Sequence, residues 1–105
     1  MTDTRLLLST AGSREEAKTI AHALVERRHA ACVNLVGPLE SIYRWKGEVE
    51  SAAEFLLLIK TTVENVAAVR DDIRELHSYE LPECIAIDIT DGCPDYLRWI
   101  VDSVR

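Results

Sequence analysis

The chain has 105 residues, which allows one domain over residues 1–105 and leaves little room for a second. It carries 18 acidic against 12 basic residues, for a formal net charge of −6, and 48% of its residues are hydrophobic. The lysines and arginines are scattered, which argues against a nucleic acid partner, because phosphate binding needs concentrated positive charge. No stretch approaches the ~18 apolar residues that span a bilayer, so we expect no membrane partner either.

The cysteines indicate the compartment. Cys32, Cys84 and Cys93 are an odd number without C-x-x-C spacing, which is typical of reduced thiols rather than of a disulfide framework. The N-terminal residues lack the apolar run and the flanks of a signal peptide. Together these features predict a cytoplasmic protein.

The first half of the chain alternates strand and helix signals. Residues 5–10 form a short apolar run suited to a buried strand. A capping box at Ser13–Glu16 predicts a helix, and apolar residues continue at helical spacing to Val25. A second strand begins near Ala31, and Gly37-Pro38 interrupts it as a bulge or bend, because proline cannot donate to a ladder.

The next segment predicts a hairpin followed by a second helix. The chain runs extended over residues 39–45, turns, and returns as a third strand that ends at Lys60. Thr61 and Glu64 have the spacing of another capping box. Residues 66–76 then place apolar side chains on one stripe of a helix.

The last segment completes the fold class. Cys84–Ile89 is predicted as a fourth strand, and residues 96–104 as a short C-terminal helix. The order β-α-β-β-α-β with a tail helix is the ferredoxin-like arrangement, an α+β fold in which two helices cover one face of an antiparallel sheet.

The hairpin looks too long for the domain. Residues 39–46 alone span about 26 Å, and the path from Ala31 reaches roughly 50 Å, beyond the expected diameter of about 30 to 35 Å. Alternation puts Tyr43 and Trp45 on one face of the hairpin. An overhanging hairpin would expose both side chains and also the unpaired backbone groups along its edges. We therefore predict that a second copy covers the hairpin in a closed homo-oligomer; the alternative is a hairpin curled over its own core.

Several segments resemble, in order and spacing, the CutA family of divalent-cation tolerance proteins. They are AACVN, SIYRWKGEVE, EFLLLIKT, SYELPECIAI and DYLRWI, between Leu6 and about Ser103. The most specific are Y-x-W-x-G-x-(V/I)-E and Y-x-x-P-E. The resemblance implies an extended hairpin between the second and third strands, assembly into a trimer through these hairpins, and a role in tolerance of copper and other divalent metals.

The same resemblance raises the question of a metal site. Some members carry a cysteine in the first strand and two adjacent histidines after the second helix, where this chain has Ser9 and Leu76-His77. With one of three such ligands present, tight copper binding at this place is not expected. His77, with Glu80 and Glu83 in the following loop, is the candidate for weakly bound copper or zinc; the alternative is a plain loop histidine. No metal is expected to be required for folding.

The motifs also carry candidate residues for a cleft between subunits, namely Tyr43, Trp45, Lys60, Tyr79 and Glu83. In a trimer they would line a site for a small ligand, or they would serve assembly, with Lys60 paired to Glu83. No nucleophile-base pair or nucleotide-binding motif is apparent, so we do not predict an enzyme. The predicted function is divalent-cation tolerance through weak metal binding or signalling. The alternative is a sensor or scaffold resembling the PII signalling proteins, which binds a metabolite or a partner protein.

Overall fold

The computed structural model describes residues 2–105, so Met1 lies outside the described part of the chain. In these residues one antiparallel sheet has the strand order β2-β3-β1-β4. The elements are β1 (Thr4–Ala11), α1 (Arg14–Glu26), β2 (Cys32–Trp45), β3 (Glu48–Thr62), a 3-10 turn (Val63–Asn65), α2 (Val66–Leu76), β4 (Ile85–Asp88) and α3 (Pro94–Ser103). The predicted α+β fold is confirmed. Among residues 2–105, no helix has the length and apolar content needed to cross a bilayer.

Helix α1 begins as its sequence predicts. The side chain of Ser13 accepts a hydrogen bond from the backbone N–H of Glu16 at 3.1 Å, which satisfies one of the free donors at the helix start. Ile20 and Leu24 then point into the core and are fully buried.

The second predicted cap, at Thr61, is wrong. Strand β3 continues to Thr62, which pairs with Thr4, so Thr61 is still part of the sheet. The Thr61 hydroxyl donates to the carbonyl oxygen of His29 at 2.5 Å instead of capping a helix. Pairing with β1 therefore outweighs the local capping signal, and α2 begins five residues after Thr61, at Val66.

The core lies between the two long helices and one face of the sheet. Its centre is apolar and fully buried: Leu7 of β1, Leu57 and Ile59 of β3, Ile20 and Leu24 of α1, and Val69 and Ile73 of α2. Alternation along β1 and β3 sends the intervening side chains to the opposite face.

The hairpin overhangs the globule, as predicted. Strand β1 ends at Ala11, opposite Phe55, so β3 pairs only with β2 from there to the turn. We call this two-stranded part, residues 39–54, the ribbon. The molecule measures 44 × 25 × 22 Å, longer than a globule of this chain length is expected to be.

The base of the ribbon carries the predicted bulge. The register between β2 and β3 shifts between Val36 and Leu39. Gly37 there has φ 155°, and a Cβ at this position would lie 2.8 Å from the ring of Phe55. Glycine is therefore required by both the backbone conformation and the close approach of the neighbouring strand.

The second face of the sheet is apolar and only partly covered. We call it the open face. Leu8 lies there, opposite Leu58 on one side and Ile85 on the other. Helix α3 packs on part of this face, but Ile85 remains 52% exposed and Ile87 43%.

Candidate functional site

A cleft of about 730 Å³ lies where the ribbon meets the loop that follows α2. Its walls come from three parts of the chain: residues 41–45, Glu50 and Glu54 of the ribbon, residues 78–81 and Glu83 of the loop, and Thr10 at the end of β1. The volume is within the range of small-molecule sites.

The aromatic and acidic side chains that the ribbon contributes to this cleft lie on one face of the ribbon. Tyr43 pairs with Glu50 and Trp45 with Glu48, so these side chains share one face of the two-stranded ladder. Glu54 lies on the same face, because its partner Leu39 is four residues before Tyr43 on β2. The predicted placement of Tyr43 and Trp45 on one face is confirmed.

His77 fixes the start of the loop. Its side chain is fully buried. Nε2 donates a hydrogen bond to the carbonyl oxygen of Thr10 at 2.6 Å, and Nδ1 accepts one from the backbone N–H of Tyr79 at 3.1 Å. Since the partners are a carbonyl and an amide, the ring is the neutral tautomer with its proton on Nε2. Neither nitrogen offers a free lone pair in this conformation.

Glu16 of α1 holds the same loop from the other side. Its carboxylate accepts the backbone N–H of Ser78 at 2.9 Å. Burial acts to raise the pKa of Glu16, but the hydrogen bonds from Ser78 outweigh it, and the pKa is lowered. The loop is therefore anchored to both α1 and β1.

Tyr79 forms the floor of the cleft. Its hydroxyl donates to Oε2 of Glu54 at 2.8 Å, and Glu54 is only 7% exposed. Burial and the bond to Glu54 raise the pKa of Tyr79, so the phenol remains a donor at neutral pH. Gly12 makes room for this ring, because a Cβ there would lie 3.0 Å from the tyrosine oxygen.

Glu83 is the second carboxyl near this floor. Burial raises its pKa, and the charge of Glu54 adds to the effect. Within residues 2–105, the side chains of Glu50, Glu80 and Glu83 form no hydrogen bond or ion pair. The cleft thus concentrates negative charge without pairing it internally.

Most of the predicted cleft residues meet here, but Lys60 does not. Tyr43, Trp45, Tyr79, Glu80 and Glu83 all line the cleft. In contrast, the amino group of Lys60 lies 3.3 Å from the hydroxyl of Tyr96 on α3, and 5.6 Å from the centre of that ring. Within one chain Lys60 therefore contacts α3. The pairing of Lys60 with Glu83 in an assembly stays a prediction.

The donor set around His77 does not fit a resident copper or zinc ion. Among the described residues, no group of three His, Cys, Asp or Glu side chains converges. His77 would have to release Thr10 or Tyr79 before binding a metal. The donors that remain, Glu80 and Glu83, are carboxylates, which suit hard cations better than copper.

Sequence reasoning missed Glu54 and Gly12. Glu54 stands in the almost wholly apolar third strand, and a buried acid there is a signal for a paired functional group. Gly12 follows β1 directly and carries no signal without knowledge of Tyr79. Their role depends on a contact between residues far apart in sequence.

The fold and the cleft define a ferredoxin-like domain with an overhanging hairpin and an acidic, aromatic cleft at its base. A family described as CutA1 divalent ion tolerance protein matches residues 5–103. The chain belongs to this family. Its members are named for tolerance of divalent cations and not for a catalysed reaction.

Relatives from distant organisms support this assignment. The chain is 48% identical over 98 residues to the divalent-cation tolerance protein CutA of Thermus thermophilus, covering 93% of this chain and 95% of that protein. It is 44% identical to the protein of the same name from Archaeoglobus fulgidus, covering 91% and 93%. It is 45% identical to human Protein CutA, but there it spans about half of the relative, 51%.

Solved structures agree in fold over the full domain. The divalent cation tolerance protein of Thermus thermophilus superposes with a TM-score of 0.95 at 45% identity, covering 97% of this chain and 99% of that one. CutA from Xylella fastidiosa superposes with a TM-score of 0.96 at 39% identity, covering 99% and 100%.

Proposed function

We propose that this protein acts in tolerance of divalent cations, copper included, as a cytoplasmic homotrimer. Family membership supports the role, and the exposed apolar surface of the ribbon carries the assembly. Ile42 is 72% exposed and Val49 is 64% exposed on one protomer. Burying such side chains contributes about 1.5 to 3 kcal/mol each, which favours self-association.

The open face adds to the surface that assembly would bury. Ile85 and Ile87 are exposed on an edge strand of four residues, next to the leucines of β1. Copies arranged around a closed axis would cover this face and the ribbon together. The number three rests on the resemblance to the family.

The oligomeric state tests the assembly. We expect the purified protein to show the mass of a trimer in light scattering at micromolar concentration. Ile42→Lys with Val49→Lys would lower this mass, because charges would enter the covered surface. Val25→Lys is the matched control, since Val25 is 41% exposed on α1, away from the ribbon. A monomeric wild-type protein would contradict the proposal.

For the metal, the proposal is weak binding of copper or zinc at Glu80 and Glu83 in the cleft. His77 would join them only if its ring released Thr10 or Tyr79. Calorimetric titration of copper or zinc into the wild type, Glu83→Gln and His77→Ala tests this. Equal heats in the wild type and Glu83→Gln would show that Glu83 is not a metal ligand, and equal heats in the wild type and His77→Ala would show the same for His77.

A second candidate is a sensor or scaffold whose cleft binds a metabolite or a partner protein. The size of the cleft, about 730 Å³, favours it, because a bare metal ion would leave most of this space empty. A thermal-shift screen discriminates: a ligand that binds the folded state raises the melting temperature by mass action. A metal role predicts a shift with copper or zinc, and a sensor role predicts a shift with a small organic ligand.

The cytoplasmic location is part of the proposal. The cysteines Cys32, Cys84 and Cys93 are free thiols, which suits a reducing compartment. One solved relative, from Archaeoglobus fulgidus, is described as a periplasmic protein. Cell fractionation with an antibody to this chain tests the point, and recovery outside the cytoplasm would contradict it.

A further inference from the structure

We propose that the cleft binds a small organic cation with primary ammonium groups, such as an alkyl diamine. The inference rests on the second candidate function, in which the cleft is a ligand site, and it names the chemistry of that ligand. Three features carry it: the unpaired carboxylates, the aromatic walls and the volume.

The charge of the cleft selects a cation. Four glutamates line it, Glu50, Glu54, Glu80 and Glu83, against a single basic residue, Arg44. The guanidinium of Arg44 donates to the carbonyl oxygen of Gly47 at 3.1 Å, so it is directed toward the turn. An anionic ligand would face uncompensated carboxylates, whereas an ammonium group gains charge-assisted hydrogen bonds.

The aromatic walls distinguish an organic cation from a metal ion. The rings of Tyr43, Trp45 and Tyr79 all border the cleft. Aromatic faces attract ammonium groups within about 6 Å of the ring centre, and the methylene groups of an alkyl ammonium pack on the same faces. The chain already shows this preference, because the amino group of Lys46 lies 5.7 Å from the centre of the Trp45 ring.

A bare divalent metal fits the same cleft poorly. Tight binding needs several donors converging on one point, and no such group exists among the described residues. The glutamates instead come from both the ribbon and the loop, around a space of about 730 Å³. Two ammonium groups on a short alkyl chain can pair with more than one of these carboxylates at once.

Tyr79 and Glu54 preorganise one end of the site. The phenol donates to Oε2 of Glu54, which fixes the direction of this carboxylate. Glu83 lies close enough to Glu54 for their charges to interact, and this contributes to the raised pKa of Glu83. An ammonium group beside them would relieve that repulsion, so binding is expected to weaken as the pH falls and the carboxyls become protonated.

The experiment titrates the purified assembly with 1,4-diaminobutane and, as the uncharged control, with 1,4-butanediol. The protein has two tryptophans, so in the Trp99→Phe background fluorescence reports Trp45 alone. We expect saturable quenching or enhancement with the diamine and none with the diol. Glu83→Gln should weaken binding about tenfold, because a charged hydrogen-bond partner is lost. Glu15→Gln, on the outer surface of α1, should bind as the wild type does.

Three outcomes would overturn the inference. The first is the absence of saturable binding to an assembly that light scattering shows to be intact. The second is equal affinity in Glu83→Gln and the wild type, and the third is displacement of the diamine by a metal ion. Light scattering and the copper titration are read separately, so a failure of the diamine is distinguishable from a failure of the trimer or of the metal role. Displacement of the diamine by equimolar magnesium would assign the carboxylates to a hard metal ion and would also contradict the proposal.

Discussion

Nε2 of His77 lies 2.6 Å from the carbonyl oxygen of Thr10, a hydrogen bond between residues 67 positions apart in the chain. It joins the loop after α2 to the end of β1, where the floor of the cleft begins. The imidazole is thus part of the structural support of the site, in addition to its place in the candidate metal set.

We expect His77→Ala to destabilise the protein. The substitution removes a fully buried ring and leaves the Thr10 carbonyl and the Tyr79 N–H without their partner. The loss should be about 2 to 4 kcal/mol in the free energy of unfolding. Denaturant unfolding at a fixed protein concentration measures this loss. The control is Glu80→Ala, because Glu80 is exposed and its side chain forms no hydrogen bond or ion pair within residues 2–105. An unchanged midpoint in His77→Ala would contradict the structural role.

Ser9 offers a test in the opposite direction. Its hydroxyl is the buried side-chain oxygen that lacks a hydrogen-bond partner within residues 2–105. Ser9→Ala removes an unsatisfied polar group, so we expect a gain of about 1 kcal/mol in the free energy of unfolding. The midpoint of denaturant unfolding should rise with an unchanged m-value. A marked loss of stability would show that the hydroxyl has a partner, such as a buried water.

Gly37 and Gly47 form a matched pair for the bulge. Both have positive φ, 155° at Gly37 and 84° at Gly47. A Cβ at Gly37 would lie 2.8 Å from the Phe55 ring, whereas a Cβ at Gly47 would have none of the described atoms within 4 Å. Gly47→Ala should lower the free energy of unfolding by about 1 kcal/mol, from backbone strain alone. Gly37→Ala should lower it by clearly more, and thermal unfolding of both variants under the same conditions measures the difference. Equal effects would mean that the contact with Phe55 is readily relieved.

The raised pKa of Glu83 predicts a pH dependence. The folded chain keeps this proton at pH values where the unfolded chain has lost it, so its contribution to stability falls as the pH rises from the ordinary glutamate pKa through the folded one. Glu83→Gln should therefore raise the melting temperature at pH about 7, and the difference from wild type should shrink at pH about 3. A constant difference at both pH values would contradict this.

Glu16 should show the opposite sign. Its lowered pKa gives stability that is present above the unfolded pKa and is lost as the pH falls through the folded one. Glu16→Gln should therefore lower the melting temperature at neutral pH and matter less in acid. Comparing Glu16→Gln with Glu83→Gln in the same buffers separates these local effects from any general response of the fold to acid.

The elements that the sequence predicts correctly are those with strong local signals. The Ser13 cap, the alternation of Tyr43 and Trp45 and the bulge at Gly37-Pro38 each depend on neighbours within a few residues. The overhang followed from strand length compared with the size of a small domain, and the structure confirms it.

The errors and omissions all concern contacts between distant residues. Thr61 has a capping sequence, but pairing between β3 and β1 keeps it in the sheet. Nothing near His77 in the sequence indicates that it would donate a hydrogen bond to the Thr10 carbonyl, and nothing near Lys60 indicates its contact with Tyr96. Such partners are set by how the elements pack, which a pattern of single residues does not encode.

The end of β1 at Ala11 also separates two parts of the molecule that can change independently. Beyond Phe55, toward the turn, β3 pairs only with β2 and no longer with β1. The buried centre formed by Leu7, Leu57 and Ile59 does not extend into this part of the hairpin. Adding equal numbers of residues to β2 and β3 beside the Lys46-Gly47 turn would lengthen the ribbon and keep its strand pairing, without disturbing any side chain of the interior. The turn is thus the natural position for inserting a peptide tag or an epitope into this scaffold.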